Sequence, residues 1–116
     1  MAEKRILIAE DDYIIAMDLA QILKSWKYKV KIISSGEEAV LKAYALKPDL
    51  ILMDIALKGM NGLEAAQKIQ TLSIPIIYIT GKDISDQINQ QKHAYIKKPF
   101  DIDILQSQIK IALKEI

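Results

Sequence analysis

The sequence predicts one α/β domain built around a mostly parallel sheet. Three observations carry that expectation. Unbroken apolar runs recur at Ile6-Leu7-Ile8-Ala9, Leu50-Ile51-Leu52-Met53 and Ile74-Pro75-Ile76-Ile77-Tyr78-Ile79. They lack alternation, which is how strands buried on both faces read. Between them lie segments whose apolar residues recur at helical spacing. Strand and helix patterns alternate five times, which argues for parallel strands joined by right-handed crossovers.

The first strand, Ile6 to Ala9, ends abruptly at Glu10-Asp11-Asp12. Ile15, Leu19, Ile22, Leu23 and Trp26 then mark the inner side of a first helix, with Trp26 sealing its end. Residues 28–33 mix lysines with Val30 and Ile32 on one side. That is an edge-strand pattern, since lysine discourages unwanted pairing. Ser35 with Glu38 is a capping box. The helix it opens points Ala39, Val40, Ala43 and Leu46 inward and is closed by Pro48. The strand Leu50 to Met53 ends at Asp54. Asn61 with Glu64 opens a third helix carrying Leu63, Ala66 and Ile69. The next strand has Pro75 near its start, where a missing N–H does least harm, and it ends at Thr80-Gly81. Residues 82–93 are polar with weak helical periodicity. Ala94-Tyr95-Ile96 is a short fifth strand ending at Lys97-Lys98-Pro99. Asp101 caps a last helix bearing Ile104, Leu105, Ile109 and Leu113.

At 116 residues and 51% hydrophobic content, the chain has material for one core. It has no cysteine, which removes disulfides and thiolate metal sites. The net charge is +1 with no basic block, so nucleic acid is not expected as a partner. No apolar run nears the ~20 residues that span a bilayer, so no membrane contact is expected. The apolar run after Arg5 is too short for a signal peptide. The expectation is a single cytoplasmic domain over residues 1–116, with no linker, repeat or second module.

In an open parallel sheet the functional crevice lies beyond the carboxyl ends of the strands. That rule selects Glu10, Asp11 and Asp12 after the first strand, Asp54 after the third, Thr80 after the fourth and Lys98 after the fifth. Glu10, Asp11 and Asp54 placed together would repel, and at least one pKa would rise. A divalent cation relieves this; hard oxygen ligands suit Mg²⁺, with Mn²⁺ as a substitute. A metal-held carboxylate beside a lysine suits phosphoryl transfer. The cation and Lys98 would neutralise the transferring oxygens, Thr80 would donate a hydrogen bond, and Asp54 would form an acyl phosphate. Taken singly, the acids read as turn or cap residues and Lys98 as a solvated lysine. Their joint placement at successive strand ends outweighs that.

The strings Ile6-Leu7-Ile8-Ala9-Glu10-Asp11-Asp12, Leu52-Met53-Asp54-Ile55, Gly59-Met60-Asn61-Gly62, Ile77-Tyr78-Ile79-Thr80-Gly81 and Tyr95-Ile96-Lys97-Lys98-Pro99-Phe100 carry a resemblance. Over essentially its whole length the chain resembles the receiver domain of two-component response regulators. The resemblance implies a doubly wound (βα)5, flavodoxin-like fold with a five-stranded parallel sheet of order 2-1-3-4-5 and five helices. It implies that Asp54 takes a phosphoryl group from the phosphohistidine of a histidine kinase or histidine phosphotransfer protein. Glu10, Asp11, Asp54 and the backbone carbonyl of Ala56 match the Mg²⁺ ligands, and Asp12 the variable position after them. Thr80 and Lys98 match the phosphoryl contacts. Tyr95 matches an aromatic that turns inward when Thr80 moves toward the phosphoryl group. Lys98–Pro99 matches a usually cis peptide, against a general rate of ~5% for X–Pro bonds. The family implies a signalling domain with self-catalysed phosphorylation and dephosphorylation at most, a homodimer as one assembly, and an effector that the sequence does not identify.

Departures from the family pattern carry further expectations. Lys58 stands where a proline is common, as in receivers of hybrid or sensory kinases and some stand-alone regulators. Thr80 and Tyr95 are only 15 positions apart. The missing length falls on the fourth helix, so residues 84–91 are expected to form a shortened or poorly ordered one. Ala56 offers no side-chain hydrogen bond to a hydrolytic water and Lys82 can shield the phosphoryl group, so slow autodephosphorylation is expected. Rival readings are weaker. A haloacid-dehalogenase-type phosphatase needs a second acid two residues after the nucleophile, where Ala56 stands. A nucleotide binder needs a glycine- or hydroxyl-rich loop where Glu10-Asp11-Asp12 would repel phosphate. A receiver-like interaction domain would not need all of these acids with Thr80 and Lys98. His93, the only histidine, reads as a solvated loop residue.

Overall fold

The computed structural model describes residues 3–81 and 94–115. Five strands, β1 (Arg5–Ala9), β2 (Lys29–Ile33), β3 (Leu50–Asp54), β4 (Ile76–Thr80) and β5 (Ala94–Lys97), form one parallel sheet in the order β2-β1-β3-β4-β5. This is the expected fold class and strand order. Helix α1 (Tyr13–Ser25) and a C-terminal helix (Ile102–Ala112) cover one face. Helices α2 (Gly36–Leu46) and α3 (Gly62–Lys68) cover the other, and a 3-10 turn at Gln70–Leu72 follows α3. The helix expected over 84–91 lies outside the described residues, as do Lys82 and His93.

Strand periodicity decides which side chains meet which helices, because successive residues point to opposite faces. Ile6, Ile8, Leu50, Leu52, Ile77, Ile79 and Ile96 pack with Leu19 and Leu23 of α1 and Leu105 and Ile109 of the C-terminal helix. Leu7, Ala9, Ile51, Met53, Ile76 and Tyr78 pack with Ala39 and Ala43 of α2 and Ala65 and Ala66 of α3. The small residues on α2 and α3 let those helices lie close to the sheet. β3 and β4 are buried along their whole length, which explains their unbroken apolar sequences. β2 is one of the two edge strands, with Lys29 and Lys31 exposed.

The helix starts follow the expected chemistry with one change. Asn61 and Asp101 cap α3 and the C-terminal helix by accepting from Glu64 N–H and Ile104 N–H. Ser35 Oγ accepts from Glu38 N–H at 3.1 Å. The Glu38 carboxylate, however, takes the hydroxyls of Ser34 and Ser35, so the box is only half built. Asp12 caps α1, accepting from Ile14 and Ile15 N–H at 3.0 and 3.2 Å. Losing such a cap costs about 1 kcal/mol. Asp12→Ala is therefore expected to lower the unfolding free energy by about 1 kcal/mol, read by urea denaturation.

One inward assignment is corrected. Leu46 is 37% exposed: it ends α2, and Lys47 turns the chain left-handed (φ 46°) before Pro48. Ile104 is 52% exposed in the first turn of its helix, where Leu105 and Ile109 fill the core.

Candidate functional site

β1, β3 and β5 end at the same edge of the sheet. Ile6 and Ile8, Leu50 and Leu52, and Ala94 and Ile96 all face α1 and the C-terminal helix. Carrying each alternation one step on places Glu10, Asp54 and Lys98 on that side together. The contacts agree. Lys98 Nζ donates to Glu10 Oε1 at 2.6 Å and to Asp54 Oδ2 at 3.1 Å. Glu10 and Asp54 are only 2% and 5% exposed. Their other oxygens are also occupied: Glu10 Oε2 accepts from Asp12 N–H at 3.1 Å, and Asp54 Oδ1 from Ala56 N–H at 3.0 Å. Half-buried Asp11 completes the cluster; one oxygen each of Glu10, Asp11 and Asp54 lie within 4.8 Å of one another.

Three carboxylates against one ammonium leave the cluster short of positive charge. Burial, then the neighbouring Asp54, raises the Glu10 pKa from 4.5 to about 7, although Lys98 and the Asp12 N–H pull it down. Burial pulls Lys98 down, but its bonds to Glu10 and Asp54 outweigh this and hold it above 10.5. Without a metal, a proton on Glu10 makes up part of the deficit. A divalent cation fits the same deficit, with all-oxygen donors of the kind Mg²⁺ prefers.

The sign of the pH dependence follows from the raised Glu10 pKa. A group with a raised folded-state pKa stabilises the fold fully below its unfolded value, and that contribution is lost as pH rises through the folded value. Glu10 therefore favours the metal-free fold below about 4.5, and this is lost as pH rises through about 7. Metal-free protein is expected to lose this contribution between pH 5 and 8, and Glu10→Gln to flatten the profile, both read by denaturant midpoints. A divalent cation held by Glu10, Asp11 and Asp54 would compete with that proton, so its affinity is expected to rise over the same window.

The other expected residues stand around this core. Thr80 is 4% exposed, and its carbonyl accepts from Lys98 N–H at 2.8 Å, which ties the lysine to the end of β4. Tyr95 pairs in register with Tyr78, two residues before Thr80 on the same side of β4, and packs half-buried on the α2/α3 side. Ala56 is exposed and reaches Asp54 through its own N–H. The Lys98–Pro99 peptide is cis, as the resemblance implies. Sequence reasoning missed the residues that shape the loop after β3. Gly62 lies directly against the Asp54 carbonyl, where a Cβ would overlap it. The string Gly59-Met60-Asn61-Gly62 was the available signal.

A doubly wound sheet with an acid cluster and a lysine at its carboxyl edge defines a class that comparison makes specific. Residues 6–110 match the family of the response regulator receiver domain, and the chain belongs to that family. The chain is 37% identical to the transcriptional regulatory protein PdtaR of Mycobacterium tuberculosis, over 95% of this chain and 57% of that protein. It spans about half the length of the curated relatives it matches. Among solved structures, a CheY-like response regulator receiver domain protein from Methanospirillum hungatei is 32% identical with a TM-score of 0.89, covering 98% of this chain and 96% of that one. The receiver domain of the sensor histidine kinase PA1611 from Pseudomonas aeruginosa has a magnesium ion coordinated in its active-site cleft. It is 27% identical with a TM-score of 0.87, covering 97% of this chain and 99% of that one. The chain is thus a signalling domain, not a classical enzyme. Receiver domains bind Mg²⁺ at an acidic site, and the Glu10, Asp11 and Asp54 cluster fits the family's phosphoacceptor site. Response regulators act between histidine kinases and effectors. Among the described residues no helix is long and apolar enough to cross a membrane.

Proposed function

We propose that Asp54 is the phosphoacceptor of a two-component relay. The observation that carries this is the Lys98 ammonium bridging two buried carboxylates at the carboxyl edge of the sheet. An oxygen of Asp54 attacks phosphorus, the bond from phosphorus to the donor's imidazole nitrogen breaks, and the imidazole leaves with that electron pair. The Lys98 ammonium, already 3.1 Å from Asp54 Oδ2, follows the negative charge onto the phosphoryl oxygens, and the Thr80 hydroxyl donates to one of them. Glu10, Asp11, Asp54 and the Ala56 carbonyl hold Mg²⁺, or Mn²⁺ as a substitute, whose charge offsets that of the phosphoryl oxygens. Movement of Thr80 frees the space into which Tyr95 turns. Ala56 supplies no side chain to orient a hydrolytic water, so self-dephosphorylation is slow.

The donor is a histidine kinase or a histidine phosphotransfer protein, and the setting is the cytoplasm. The effector is a protein, with no nucleic-acid contact made by this domain itself. Residues 1–116 are read as one receiver domain. That the chain spans about half the length of its curated relatives favours a receiver that serves a longer regulator. The test is intact mass after incubation with a small phosphodonor and Mg²⁺. One phosphoryl group is expected on the natural chain, and none on Asp54→Asn or after chelation. An unchanged mass for the natural chain would favour an interaction domain that is never phosphorylated.

A further inference from the structure

The loop between β3 and α3 carries Ala56 past Asp54, and a group outside the acid cluster holds it. Glu37, in the first turn of α2, accepts the Met60 N–H on both carboxylate oxygens, at 3.1 and 3.2 Å. The chain bends around that carboxylate. Gly59 is left-handed (φ +68°), and a Cβ there would lie 2.6 Å from each Glu37 oxygen. Gly36 admits the Met60 carbonyl, which a Cβ would overlap. Ser35 and Lys58 form an isolated parallel bridge. The loop ends are fixed separately, by Ala56 N–H on Asp54 Oδ1 at 3.0 Å and Gly62 N–H on the Ile55 carbonyl at 2.9 Å. Each loop end thus rests on a single bond, and Glu37 is the side-chain clamp that holds the stretch between them.

We propose that Glu37 is a positioning residue for the phosphoacceptor site. By holding Met60 it keeps the Ala56 backbone in one place relative to Asp54, and so raises the affinity of the acid cluster for a divalent cation. The inference rests on the phosphoacceptor reading above. Its physical basis is population: a site that is competent in only a fraction of loop conformations binds more weakly by that fraction. The charge-assisted bond to Met60 is among the strong ones, so its loss spreads the loop over many conformations. Glu37 lies outside the cluster of Glu10, Asp11 and Asp54.

The experiment compares Glu37→Ala and Glu37→Gln with the natural chain. Two readouts are taken: Mg²⁺ affinity by titration calorimetry, and amide hydrogen exchange at Ala56 and Met60 in metal-free protein. Glu37→Ala is expected to weaken Mg²⁺ binding about tenfold, to speed exchange at both amides, and to leave the phosphorylation rate at saturating Mg²⁺ within about twofold. Glu37→Gln keeps the side-chain shape and one acceptor oxygen, and is expected to fall between. A folded Glu37→Ala with unchanged Mg²⁺ affinity and unchanged Ala56 exchange overturns the proposal. So does a lower unfolding midpoint with no change in either readout, which marks a merely structural contact. If Glu37→Ala does not fold, Glu37→Gln is judged by the same two readouts. If the natural chain accepts no phosphoryl group, the phosphoacceptor reading fails. The metal-free exchange at Ala56 still decides whether Glu37 holds the loop.

Discussion

Replacing Lys98 by alanine is expected to cut phosphoryl incorporation at Asp54 at least about a hundredfold, the scale of losing one preorganised charge contact to the transition state. The same change is expected to destabilise the metal-free fold, because Glu10, Asp11 and Asp54 are left with no cation. Breaking a fully buried pair costs about 3–5 kcal/mol. The Lys98 side chain keeps 20% exposure, so water screens part of the loss and about 2–3 kcal/mol is expected. The loss has a pH signature. Lys98 is one of the groups that pull the Glu10 pKa down, so without it Glu10 holds its proton more readily; that proton substitutes for part of the missing charge, and the variant loses less at pH 5 than at pH 8. Added Mg²⁺ is expected to raise the unfolding midpoint of the variant more than that of the natural chain. Lys98→Arg is not expected to rescue phosphorylation, since a planar guanidinium does not fill the place of a compact ammonium between two carboxylates. Denaturant unfolding at both pH values, with and without Mg²⁺, together with intact mass, checks each part.

Gly62→Ala is the second substitution with a large expected effect, and two opposed contributions decide its sign. Gly62 is the first residue of α3, and alanine in place of glycine favours a helix by up to about 1 kcal/mol. Against this, the added Cβ would overlap the Asp54 carbonyl oxygen and lie 2.9 Å from Met53 Cγ and 3.0 Å from Ile55 Cα. Two of those three atoms are backbone at the end of β3, in the middle of the sheet, and cannot rotate aside. Overpacking a rigid site costs about 1–3 kcal/mol and occasionally more, so a net loss of about 2 kcal/mol is expected. Because the displaced carbonyl belongs to Asp54 itself, phosphoryl acceptance is expected to fall as well. Urea unfolding and phosphorylation rate on the same preparation separate this from a plain loss of folded protein. Unchanged stability would mean that α3 shifts along the sheet to make room.

How far the sequence reached depends on whether a residue's role is set locally. β1, β3 and β4 were readable because burial on both faces leaves an unbroken apolar run. The edge position of β2 was readable from its lysines. Glu10, Asp54 and Lys98 were readable because strand ends in a parallel sheet converge, which needs only the strand boundaries. Leu46 was misjudged because helical spacing gives a face but not how far the core extends toward each helix end. Glu37 and Met60 stand 23 residues apart, and nothing in either residue type announces their contact. The closeness of Gly62 to the Asp54 carbonyl is likewise a product of tertiary packing. The upward shift of Glu10 depends first on its burial, which a sequence expresses only through the fold. Thr80 was readable from its strand end like the others, while the roles of Ala56 and Tyr95 came from the family resemblance, and the structure adds their backbone ties and register.

A phosphoryl group accepted by Asp54 is held as an acyl phosphate. Its most direct measurement is borohydride trapping of the phosphorylated chain, followed by peptide mapping. An acyl phosphate is reduced to an alcohol, which turns aspartate into homoserine. Homoserine is expected at position 54 alone, in a yield that matches the phosphorylated fraction. Phosphoryl label that survives borohydride, or that maps to a serine, threonine or histidine, would contradict it.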